Sequence, residues 1–86
     1  MRALITGATS GIGKEMAFYL HRRGWQLVLT GRNEEMLRRM AKKFGEGTRY
    51  IALDLAGRDA PQKLYEFCQG TRIDFLINNA GSAEST

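Results

Sequence analysis

Four short apolar runs, separated by three amphipathic segments, limit what this chain can become more than any single motif does. The runs cover residues 2–6, 25–30, 50–53 and 73–77. Each is too continuously apolar to be the arm of an exposed hairpin and suits a parallel strand buried on both faces. The segments between them repeat apolar residues at three- and four-residue spacing, as a helix with one inner face does. A helix between two such strands makes a parallel crossover, right-handed in nearly all known cases. The alternation is therefore that of an α/β chain, a doubly wound parallel sheet of four strands and three helices.

The first helix starts at Gly11 or Ile12, with Ile12, Met16, Tyr19, Leu20 and Arg23 read as its inner stripe, and stops at Gly24. Asn33 can cap the second helix, and Glu34 and Glu35 fall in its first turn, where negative charge is favoured. Met36 or Leu37, Met40, Ala41 and Phe44 line its inside, Arg38, Arg39, Lys42 and Lys43 its outside, and Gly45 ends it. Asp59, Ala60 and Pro61 read as the start of the third helix, because a proline costs nothing in the first turn. Leu64, Phe67 and Cys68 are expected to face inward, and Gly70 to close this helix. The last residues, 82–86, are small and polar and are expected to be loose. In such a sheet the fourth strand lies beside the first, away from the second and third. A crevice then opens above the carboxyl ends of strands one and four.

The turn after the first strand reads Thr6, Gly7, Ala8, Thr9, Ser10, Gly11, Ile12, Gly13. Glycines at a strand-to-helix turn let a ligand approach the backbone, and the following helix offers unpaired N–H groups and the positive end of its dipole. Together these make a phosphate site. The hydroxyls of Thr9 and Ser10 could shape the loop or reach phosphate and ribose oxygens. A metal-dependent phosphate loop does not fit, because Ala8 stands where its first glycine belongs and Glu15 where a Ser or Thr would reach magnesium. Any nucleotide here is held by backbone.

Composition narrows the classes further. Lys and Arg outnumber Asp and Glu by 13 to 9, yet the basic residues fall on polar helix faces without interleaved aromatics, so no nucleic-acid partner is expected. One cysteine, Cys68, and one histidine, His21, leave no disulfide and no metal cluster, and Cys68 is expected to be a buried structural thiol. No signal peptide precedes the first strand and no apolar run reaches the ~20 residues of a membrane span. The chain reads as cytoplasmic, with no membrane partner.

The spacing Gly7, three residues, Gly11, one residue, Gly13, with Thr6 ahead, resembles the TGxxxGxG turn of the short-chain dehydrogenase/reductase family. Asp54 with Leu55, after the third strand, resembles that family's Asp which hydrogen-bonds the adenine amino group. Asn78, Asn79, Ala80 and Gly81 match its NNAG motif, which braces the sheet and borders the adenosine ribose. The resemblance implies a Rossmann-like dinucleotide-binding domain. Gly7, Gly11, Ile12 and Gly13 are then expected to face the pyrophosphate. At the end of the second strand an NAD site needs a carboxylate for the ribose 2′-OH. Gly31 and Arg32 stand there instead, and a guanidinium suits a 2′-phosphate, so the expected cofactor is NADP(H).

The family transfers hydride between a nicotinamide dinucleotide and a small-molecule carbonyl or alcohol, using a Tyr and Lys in a YxxxK motif with a Ser. Here Tyr19, Tyr50 and Tyr65 are followed four residues on by Arg23, Asp54 and Gln69, so no catalytic residue is assigned. The apolar fourth strand, with no fifth to cover it, would be a pairing hazard as an open edge. Residues 1–86 are therefore expected to be the amino-terminal part of a single dinucleotide-binding domain in a longer, self-associating oxidoreductase. The alternative is a stand-alone nucleotide-binding or interaction module without turnover. A methyltransferase would want an acid where Gly31 and Arg32 lie.

Overall fold

A computed structural model describes residues 1–79. The elements run β1 (Arg2–Thr6), α1 (Gly11–Arg22), β2 (Gln26–Gly31), α2 (Glu34–Phe44), β3 (Arg49–Ala52), α3 (Ala60–Cys68) and β4 (Phe75–Asn78). The strands form one sheet in the order β3-β2-β1-β4, and every neighbouring pair is parallel. This is the expected doubly wound arrangement, with β4 on the far side of β1. Strand ends differ from the sequence reading by a residue or two, because pairing with the neighbour decides them. Trp25 stays outside β2, Leu53 follows β3, and β4 begins at Phe75 and takes in Asn78 opposite Thr6.

The core lies where α1 and α2 cover β1 and β2. Ala3 and Ile5, Leu27 and Leu29, Ala17 and Leu20, and Leu37, Met40 and Phe44 form one buried cluster. Phe44 closes it, with the rings of Phe18 and His21 at 4.9 and 4.6 Å. The α2 pattern is thus as read, except that Met36 is half-buried and Leu37 is the buried member of the pair.

The α1 stripe needs correction. Gly13, Ala17 and Leu20 are the buried residues, Met16 is half-buried, and Ile12, Tyr19 and Arg23 face outward. Small residues bring this helix close to the sheet, while Ile12 and Tyr19 are left on its outer side. Ile12, Met16, Phe18, Tyr19 and Arg22 help line an open groove of about 660 Å³. In α3 only Ala60 is buried, while Leu64, Phe67 and Cys68 are half-buried. Burial pushes the Cys68 thiol up, against the opposing pull of Arg49. Phe75 and Leu76 of β4 are 50% and 55% exposed. Among the described residues no helix is long and apolar enough to cross a membrane, and no group of His, Cys, Asp and Glu could hold a metal ion.

Candidate functional site

The turn after β1 is fixed from three sides. Ala8 N–H donates to the Thr30 carbonyl at 3.0 Å, tying the turn to β2. Thr6 Oγ1 donates toward Asn78 Oδ1 at 3.0 Å, tying the end of β1 to the end of β4. Asn79 Nδ2 donates to the Gly7 carbonyl at 3.2 Å, and Asn79 is itself buried. The same Gly7 carbonyl accepts from Ser10 N–H at 3.4 Å and lies 3.5 Å from Ser10 Oγ. The sequence reading brought the glycine turn and Asn78 and Asn79 to one crevice, and the structure brings them into contact.

The three glycines do different work. Gly7 has φ 64°, a left-handed conformation that glycine adopts without strain. Gly11 has φ 41°, with open space where a side chain would stand. Gly13 is buried, and a Cβ there would lie 2.2 Å from the Gly7 carbonyl oxygen and 2.6 Å from Asn79 Nδ2. Gly13 therefore lets α1 press against the turn and Asn79. Ile12 is 71% exposed at the start of the helix.

What the turn leaves open is the start of α1. Its N-cap is Ser10, which makes no side-chain bond to the helix, and no acidic residue lies in the first turn. Helix starts need partners for their first N–H groups and favour negative charge. A glycine-lined approach, uncapped amides and no competing carboxylate fit an anionic phosphate group.

Arg32 is exposed directly after Gly31, at the end of β2, on the same strand ends as the turn. Thr9 packs against Gly31, a contact that no pattern in the sequence announces. Asp54 is exposed after β3, where its Oδ1 accepts from Ala56 N–H at 3.0 Å and its carbonyl from Gly57 N–H at 2.7 Å. It thus shapes a turn, using one carboxylate oxygen for that bond, with half-buried Leu55 beside it. Ala80, Gly81 and residues 82–86 lie outside the described residues.

Known proteins share this arrangement. The sequence matches the family described as short chain dehydrogenase over residues 1–86. It is 44% identical over 85 residues to a serine 3-dehydrogenase of Agrobacterium fabrum, covering 96% of this chain and 34% of that protein. It is 36% identical to a very-long-chain 3-oxoacyl-CoA reductase of Candida glabrata, covering 96% of this chain and 25% of that protein. Among solved structures, a short chain dehydrogenase from Shigella flexneri superposes with a TM-score of 0.81 at 34% identity, over 92% of this chain and 38% of that one. A closed form of serine dehydrogenase complexed with NADP+ superposes at 0.79 with 28% identity, over 88% of this chain and 32% of that one. The chain spans about a third of the length of these relatives. With a match that runs its whole length, and with the turn and sheet order just described, the chain belongs to the short chain dehydrogenase family.

Proposed function

We propose that residues 1–86 form the NADP(H)-binding part of an oxidoreductase that moves hydride between this cofactor and a small carbonyl or alcohol compound. The observation that carries the reading is the uncapped, acid-free start of α1 behind a glycine turn, with Gly31 and exposed Arg32 at the end of β2. When bound, the nicotinamide supplies or accepts the hydride. The backbone around Gly7, Gly11, Ile12 and Gly13 would hold the pyrophosphate, with the Thr9 and Ser10 hydroxyls at its edge. Arg32 would pair with the 2′-phosphate. Asp54 and Leu55 would border the adenine, and Asn78, Asn79, Ala80 and Gly81 the adenosine side of the crevice. Gly13 would also admit α1 to its place. The bound NADP+ of the serine dehydrogenase relative supports the same cofactor.

A charge-assisted bond from Arg32 to the 2′-phosphate, at roughly 1.5 to 3 kcal/mol, would favour NADPH over NADH by about ten- to a hundredfold. Titration of the complete protein with both dinucleotides tests this. Arg32→Ala should remove most of the preference and leave NADH binding nearly unchanged. Equal affinities in the unaltered protein, or a preference that survives the substitution, would defeat the assignment.

A further inference from the structure

We infer that Thr9, through its contact with Gly31, is a second determinant of which dinucleotide this site accepts, a step that rests on reading the site as one for NADP(H). Gly31 is buried at the end of β2 and its φ is not positive, so its backbone does not call for glycine. What crowds a side chain there is Thr9. A Cβ on Gly31 would lie 3.3 Å from Thr9 Oγ1, 3.6 Å from Thr9 Cγ2 and 3.7 Å from Ala8 N.

Neither partner can easily withdraw. The Gly31 carbonyl accepts from Leu53 N–H at 2.8 Å, and the Thr30 carbonyl before it accepts from Ala8 N–H at 3.0 Å, so the strand end and the turn are tied together. Threonine is branched at Cβ and stiff about χ1. Both of its branches lie against the space over Gly31, so relief there needs the side chain to leave its present χ1 rotamer. Position 31 is where a carboxylate would stand to bond a ribose 2′-OH. Thr9 crowds that group while Arg32 would attract the 2′-phosphate, a repulsive and an attractive element acting on one choice. Serine at position 9 has a single heavy branch that can swing clear.

The test uses Gly31→Asp and Gly31→Ala in the complete protein, each with Thr9 kept and with Thr9→Ser. Gly31→Asp should improve the NADH dissociation constant at least about threefold more beside Thr9→Ser than beside Thr9, the size of a modest contact coupling. Gly31→Ala should lower the thermal midpoint by roughly 4 °C with Thr9 kept and by clearly less with Thr9→Ser. Additive melting shifts would mean that the contact carries no energy, and additive NADH gains that it has no part in specificity. Either result overturns the inference. If Gly31→Asp folds in neither background, the Gly31→Ala melting cycle decides. That cycle uses no dinucleotide, so it stands apart from the NADPH and NADH titration of the unaltered protein, which tests the underlying reading.

Discussion

Two helices of this chain leave strand ends on the same side of the sheet and begin in opposite ways. At α2, Asn33 Oδ1 accepts from Met36 N–H at 3.1 Å, Glu34 and Glu35 occupy the first turn, and Glu35 pairs with Arg38 and Arg39. At α1 the Ser10 hydroxyl turns back toward the Gly7 carbonyl, no acid lies in the first turn, and Gly11 faces open space. Both starts expose the same unsatisfied amides. α2 completes itself from its own sequence, whereas the residues that could complete α1 are engaged in holding the turn. Its amides are thereby left for an outside anion. Asp59 of α3 makes no side-chain cap either, but Pro61 in the first turn of that helix has no N–H to offer.

The largest effect should come from filling the space that lets α1 approach the turn. Gly13→Ala places a methyl group 2.2 Å from a backbone carbonyl oxygen and 2.6 Å from the buried Asn79 amide. Backbone must move, at a cost of roughly 3 kcal/mol. Chemical denaturation should show that loss, with NADPH binding weakened in whatever folds. A Gly13→Ala protein of unchanged stability would mean that the start of α1 is not held by this contact, and the contrast with α2 would lose its structural basis.

Next in size are the caps themselves. Asn33→Ala removes a side-chain cap bond and should cost about 1 kcal/mol. Ser10→Ala removes no cap bond and loses only the long contact of its hydroxyl with the Gly7 carbonyl, so it should cost no more than about 0.5 kcal/mol. The two variants, unfolded in parallel, measure the difference between the helix starts directly. Equal losses would place a cap on α1 after all and weaken the case for an anion there.

Most of this fold could be read from the residues, for reasons that differ by element. α2 was legible because Asn33, its acids and its buried Leu37, Met40 and Phe44 all agree on one face. The α1 stripe misled because its contact with the sheet runs through Gly13 and Ala17, residues that carry little hydrophobic signal. Apolar Ile12 and Tyr19, which carry more, lie outside. At the site, the pairing of the turn with Asn78 and Asn79 followed from the expected doubly wound order, in which the fourth strand lies beside the first. The inward role of Gly13 and the packing of Thr9 on Gly31 join residues distant in sequence through atoms only a few ångströms apart. No spacing rule encodes such a contact.

The smallest effect tests the charge that completes α2. The Glu35 carboxyl is held below its ordinary value near 4.5, chiefly by its hydrogen bond to Arg38 and the charge of that guanidinium, against the opposing effect of desolvation, with Arg39 adding to the lowering. A carboxylate whose pKa is lowered on folding favours the folded state above its unfolded pKa, and that contribution is lost as pH falls through the folded value. Stability measured from about pH 5 down to about pH 3 should therefore fall more steeply in the unaltered protein than in Glu35→Gln. The pair is exposed, so the difference should be small and should shrink in concentrated salt. No acid in the first turn of α1 supplies a counterpart to it. Identical acid slopes with and without Glu35 would mean that α2 begins no more favourably than α1 in charge, leaving the Asn33 cap as the difference between them.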